Sequence, residues 1–161
     1  MDHVERLCRV LNEETRLCGE LAGVLREEQE AVIRLRPEEI LSCLERRETI
    51  QGRLVDLARE RRDVVRDLAA ARGSRATRAT EMLPLLPPEP QTRVRDHLRR
   101  LREALLEARG LERQNAQLVG SNLDTVTDLL RALRALVPGA RYGADAEVAV
   151  PAAIEGLDRR A

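Results

Sequence analysis

Apolar residues recur with helical spacing along three long stretches of the chain, residues 3–35, 38–72 and 91–137. Within each stretch they follow one another at intervals of three and four residues, which places them on one face of an α-helix. Pro37 separates the first two stretches and Gly73 follows the second, and these residues favour the start and the end of a helix, respectively. The pattern therefore predicts an all-α fold built from three long helices.

The polar interruptions in the first two helices predict how these helices pair. If the chain folds back at Pro37, residues that face each other have numbers that add up to about 75. In that register Glu14 faces Arg61 and Glu28 faces Arg47. Because both Glu–Arg pairs obey the same register, we predict an antiparallel hairpin with two buried Glu–Arg layers. The apolar pairs of this register include Leu7–Leu68, Leu21–Leu54 and Leu35–Ile40.

Residues 73–90 connect the second helix to the third. Four prolines lie within residues 84–90, so a continuous helix is not expected there. The third helix, of about 47 residues, should be ~70 Å long, whereas the first two helices reach only ~50 Å. In an up-down-up bundle its last turns, near residues 127–137, should therefore extend beyond the other two helices.

Asn115 and Asn122 lie on the apolar seam of the third helix. Buried asparagines are costly unless they are paired, and in helical bundles they commonly fix the register. We count them with the two Glu–Arg layers as structural polar layers. The sequence thus predicts one domain over residues 1–137, an antiparallel three-helix up-down-up bundle made of a coiled-coil hairpin and a long third helix. A flexible tail, residues 138–161, is expected to follow it.

The charge balance argues against a nucleic-acid-binding protein. The chain has 28 basic and 28 acidic residues and a formal net charge of zero, so no general attraction to nucleic acid is expected. Aromatic residues make up only 1% of the chain, too few for a base-stacking platform. Basic residues do collect at positions 93–102, RVRDHLRRLR, which indicates either a solvated helix face or a docking patch for an acidic partner.

The sequence contains no motif typical of a catalytic or metal site. Cys8, Cys18 and Cys43 lack CxxC or Cys/His spacing and are interpreted as small apolar residues in a reducing cytoplasm. Glu14 and Glu28 could face a metal across a bundle, but the Glu-x-x-His element that such sites add is missing. No Gly-rich phosphate loop, signal peptide or membrane-length apolar run is found. We therefore expect a cytoplasmic protein that is no enzyme, does not insert into a membrane, and uses no cofactor or metal.

The C-terminal part of the third helix resembles a known family. Residues 112–145, ERQNAQLVGSNLDTVTDLLRALRALVPGARYGAD, resemble the C-terminal portion of FlgN-type flagellar export chaperones, with an Asn-rich helix, a leucine-rich continuation and a Tyr-Gly-like turn. The N-terminal half is similar in its Glu before an aliphatic pair (residues 28–33), in the spaced basic residues Arg47 and Arg61, and in the Pro-rich linker. The resemblance covers nearly the whole chain.

The resemblance implies a chaperone that binds hook–filament junction (hook-associated) proteins, prevents their premature assembly and delivers them to the flagellar type III export gate. It also implies that the C-terminal amphipathic helix of the client is held by the C-terminal region of the chaperone, through apolar anchors at helical spacing. Carried over by position, the client-binding residues are Leu123, Val126, Leu129, Leu130, Leu133, Leu136 and Val137. Tyr142 matches the tyrosine with which such chaperones engage the export gate, although a tail residue could instead fold back on the bundle.

A self-associating structural coiled-coil protein with no client is the alternative interpretation. In that case the seam that carries Asn115 and Asn122 would form a stable symmetric oligomer, and no leucine stripe would stay open. The leucine-rich end of the helix could also pack on its own bundle or form a homodimer.

Overall fold

The computed structural model of the protein describes residues 3–136, 141–142 and 148–149, and the side chains of residues 3–132. In these residues the chain forms, in order, α1 (His3–Ile33), α2 (Pro37–Ala71), α3 (Ala79–Met82), a 3₁₀ turn (Leu83–Leu85) and α4 (Pro88–Leu136). Two-residue strands, β1 (Arg141–Tyr142) and β2 (Val148–Ala149), pair in antiparallel orientation. The predicted all-α class is confirmed.

The chain divides into two compact units, residues 1–118 and 119–161. The first unit contains α1, α2, α3 and the beginning of α4, and the second contains the rest of α4 and the two short strands. The single domain over residues 1–137 and the flexible tail over residues 138–161 stay predictions, and most of the tail lies outside the described residues.

Helices α1 and α2 form an antiparallel hairpin. Arg47 Nη1 lies 3.1 Å from Glu28 Oε2, and Arg61 Nη1 lies 2.7 Å from Glu14 Oε2. Both contacts keep the register in which the chain folds back at Pro37. Residue numbers fall along α2 as they rise along α1, so the two helices run in opposite directions.

Helix α4 runs parallel to α1 within the first unit. Arg93 forms an ion pair with Glu5 at 2.8 Å, and the side-chain amide of Asn115 donates a hydrogen bond to the carbonyl of Leu25 at 2.8 Å. Residue numbers rise together along the two helices. The order of the three long helices is therefore up, down, up.

Aliphatic side chains fill the core of this unit in two clusters. One cluster joins the first half of α1 to the second half of α2 and the start of α4, and it includes Met82 and Leu86 of the connection. The other joins the second half of α1 to the first half of α2 and reaches Ala108 of α4. The Pro-rich connection thus contributes side chains to the core at one end of the hairpin.

The three cysteines, Cys8, Cys18 and Cys43, are buried thiols that form no disulfide. Burial raises the pKa of Cys18 and of Cys43. Both thiols therefore stay protonated near neutral pH, where they pack as small apolar groups.

The end of α1 differs from the sequence-based expectation. Leu35 has a φ of 51°, and the amide of Arg36 donates to the carbonyl of Ala31 at 2.9 Å, which is the Schellman arrangement that glycine usually completes. Gly73, with a φ of 62°, occupies the same position after α2. Leu35 is 76% exposed and is a turn residue, so the expected pairing of Leu35 with Ile40 in the apolar seam is wrong.

The carboxylate of Glu28 connects all three long helices. Its side chain is 7% exposed and accepts hydrogen bonds from Arg47 of α2 at 3.1 Å and from Asn115 of α4 at 3.3 Å. The side-chain oxygen of Asn115 is buried and accepts no hydrogen bond from any described residue. Glu14, by contrast, pairs with Arg61 of α2. Asn122, in the second unit, is half-buried.

We predict that Arg47→Leu lowers the free energy of unfolding by about 2 kcal/mol, because it leaves the buried Glu28 carboxylate without its cation. The neighbouring substitution Arg46→Leu is the matched control. Arg46 pairs with Glu27, whose side chain is 55% exposed, so its loss should cost less than about 0.5 kcal/mol. Urea unfolding followed by circular dichroism measures both values.

Adding Glu28→Gln to Arg47→Leu should restore most of the lost stability, because the amide carries no charge and still accepts a hydrogen bond from Asn115. Equal losses for Arg46→Leu and Arg47→Leu would contradict a special role for the Glu28 layer.

The Glu14 layer gives a prediction on pH dependence. Burial raises the pKa of Glu14, and the adjacent Arg61 offsets part of this effect. The folded state therefore binds the proton more tightly than the unfolded chain, in which the pKa lies near its ordinary value of 4.5. Above that value the contribution of Glu14 to stability falls, as pH rises through the folded pKa.

A Glu14→Gln variant should therefore gain stability relative to the unmodified protein as the pH rises from 4 to 7. Unfolding titrations at several pH values give this difference directly. A difference that is constant or that shrinks over this range would show that Arg61 fully compensates the burial of the carboxylate.

Candidate protein-binding surface

The part of α4 in the second unit carries a row of exposed aliphatic side chains. Val119, Leu123, Val126, Leu129 and Leu130 are between 40% and 63% exposed, although side chains of this type are usually buried. Their helical spacing places them on one face of α4. We call these five residues the leucine stripe.

Local contacts satisfy the polar side chains around the leucine stripe. Thr125 donates its hydroxyl hydrogen to the carbonyl of Ser121 at 2.9 Å, and Thr127 donates to the carbonyl of Leu123 at 2.8 Å. Asp128 pairs with Arg131 at 3.0 Å, one turn away. These polar groups are used within the helix itself, so the apolar stripe is the feature of this segment that offers most to a partner.

The leucine stripe is large enough to contribute to binding. Covering one half-exposed aliphatic side chain stabilises a complex by about 1 kcal/mol, so the five together supply ~5 kcal/mol before the costs of association. A partner that presents its own apolar side chains at the same spacing would cover them in the manner of a helix bound along an apolar face.

The other residues predicted to bind a client are only partly described. Leu133 and Leu136 continue α4, but their side chains are not among the described ones, and Val137 lies outside the described residues. Val119 was not among the predicted residues, although it lies four positions before Leu123 on the same face. Its helical spacing is the signal by which the sequence could have identified it.

Tyr142 lies in β1 and faces Val148 of β2 across the antiparallel pair. The structure describes its backbone, and its predicted role at the export gate rests on the family resemblance alone.

The described residues show neither a metal-binding cluster nor a membrane-spanning helix. They contain no group of three or more His, Cys, Asp or Glu side chains arranged to hold a metal ion. None of the helices that the structure describes is long and apolar enough to cross a membrane.

Comparison with known families identifies the family to which the chain belongs. A sequence model of the FlgN protein family matches residues 1–149, which is most of the chain and includes α1, α2, α4 and both short strands. No curated protein and no solved structure matches the chain.

Proposed function

Since the chain belongs to the FlgN family, it is a flagellar export chaperone, and we propose that the leucine stripe of α4 holds the C-terminal amphipathic helix of hook–filament junction proteins. In this proposal the chaperone works in the cytoplasm, prevents premature assembly of its client and delivers it to the export gate. The family is one of chaperones and not of enzymes. The proposal is supported above all by five exposed aliphatic side chains in a row on one helix.

The chemistry of the stripe suits a helical client. An amphipathic helix has one apolar face, and that face is costly to leave in water while the client waits for export. Aliphatic side chains at intervals of three and four residues on α4 match the spacing of such a face. The client's assembly surface is then covered by the same contact that binds it to the chaperone.

The limited size of the stripe also agrees with a transient complex. A contact worth ~5 kcal/mol before association costs needs further contacts to reach useful affinity. Leu133, Leu136 and Val137, which continue the spacing, are proposed to supply them. Even with these further residues, the proposed complex stays weak enough for the client to be released at the gate.

We predict that Leu129→Asp weakens client binding by roughly tenfold or more. A charged side chain at the centre of an apolar contact adds a desolvation cost to the lost burial of apolar area. The measurement is a calorimetric titration of the full chain with a peptide that contains the C-terminal helix of a hook–filament junction protein. Leu41→Asp is the matched control, since Leu41 of α2 is 61% exposed and Leu129 is 60% exposed.

A truncated chain that ends at Asn122 should also lose client binding while it keeps its helical circular dichroism signal. If the full chain binds no such peptide, and Leu129→Asp instead dissociates a stable oligomer, the structural coiled-coil interpretation is correct and the chaperone proposal fails at this site.

Tyr142 is proposed to engage the export gate. We predict that Tyr142→Ala weakens binding of the client-loaded chaperone to the cytoplasmic part of the gate by roughly tenfold, because a single aromatic anchor often carries much of the energy of a small interface. Its affinity for the client should stay within about twofold of the unmodified value. Tyr142→Phe separates the contribution of the ring from that of the hydroxyl, and unchanged gate binding by Tyr142→Ala would exclude the role.

A further inference from the structure

Arginines without a carboxylate partner collect in one groove of the first unit. The groove lies between α2, the part of the connection around α3, and α4, and it is lined by Arg62, Arg95, Arg102 and Arg109. None of these four forms an ion pair with any described residue, whereas most other arginines of the helices do. No carboxylate is among the residues that line the groove.

The sequence explains why three of these arginines lack a carboxylate partner on their own helix. Most surface arginines of the chain have a Glu or Asp three or four positions away, as in the Arg66–Asp63 pair of α2. Arg62, Arg95 and Arg102 have no acidic residue at any of those positions. Arg95 and Arg99 even place two like charges one turn apart, which is unfavourable in an isolated helix. These three arginines therefore have no acidic residue with which to pair along their own helix, although the chain as a whole is neutral.

The floor of the groove is apolar. Leu98 and Leu105 are half-buried and pack against the core. Leu106, beside them on α4, is 56% exposed. An aliphatic floor between rows of guanidinium groups fits a partner that is apolar along its centre and acidic along its edges.

We propose that this arginine groove binds an acidic amphipathic helix of a partner protein. The groove residues on α4, from Arg95 to Arg109, span ~21 Å, or about four helical turns. A single phosphate would meet only one or two of these arginines, whereas an acidic helix meets them all. Nucleic acid is disfavoured because the floor is aliphatic and offers no aromatic ring on which a base could stack. The groove and the leucine stripe share no residue, so this surface adds to the client site.

The test uses the full chain and a synthetic helical peptide of about 18 residues, with leucines at i, i+3, i+4 and i+7 and glutamates on both flanks. A second peptide, with lysine at every glutamate position, is its control. Fluorescence anisotropy should show that the acidic peptide binds and the basic one does not.

The double variant Arg62→Glu, Arg102→Glu should bind the acidic peptide more weakly by roughly tenfold or more. It places negative charges, which repel the glutamates of the peptide, on both walls of the groove. The matched control is Arg75→Glu, Arg100→Glu. Arg75 and Arg100 are exposed, form no ion pair with a described residue and do not line the groove. This control has the same net charge and should change affinity by less than about threefold. Circular dichroism verifies that both variants fold.

Leu129→Asp should leave binding of the acidic peptide unchanged, which separates the groove from the leucine stripe. The proposal is overturned if both double variants weaken binding equally, since the attraction would then depend on net charge alone. It is also overturned if a DNA duplex or phosphatidylglycerol vesicles bind as tightly as the peptide and are released by the same Arg62→Glu, Arg102→Glu variant, since the groove would then be a general polyanion site.

Discussion

The buried carboxylate of Glu28 is the constraint on which the first unit depends. It accepts hydrogen bonds from α2 through Arg47 and from α4 through Asn115, while Asn115 also reaches the backbone of α1 at Leu25. Moving any of the three helices by one residue would leave a charge or an amide facing leucine, at a cost of several kcal/mol. Apolar contacts alone would tolerate a shift of one residue more easily. The polar layer therefore fixes the register of the helices more than it adds to their stability.

Asn115 also marks a change in the use of α4. Among the described side chains of this helix, it is the last that is buried. Before it, Val94, Leu101 and Ala108 belong to the core clusters. After it, the same helical periodicity continues in exposed residues, beginning with Val119. A single long amphipathic helix thus serves as a core element in its first part and presents an open apolar face in its second.

Much of this fold could be predicted from the sequence, because heptad spacing and the positions of charged residues are local or obey one simple register. Two details of the helix ends could not. Leu35 takes a left-handed backbone conformation, which a leucine in the sequence does not predict. Helix α4 begins at Pro88, before the predicted start, because the N–H groups of the first helical turn have no acceptor within the helix, so Pro88 and Pro90 fit there. The arginine groove was visible only in part, in residues 93–102. Arg62 joins it from a helix that is distant in sequence, and such proximity follows from tertiary packing alone.

The two surfaces differ in the physical force that each would use. The leucine stripe is proposed to bind its client through burial of apolar area, which depends little on salt and mainly sets how slowly a complex dissociates. The arginine groove is proposed to bind through charge, which speeds encounter and weakens as salt rises. In the proposed function the chaperone keeps its client bound while the complex diffuses, and it then binds further components of the export machinery briefly. An apolar contact that dissociates slowly suits the first task. An electrostatic contact that forms quickly suits the second, so the two proposed surfaces would serve separate steps of export.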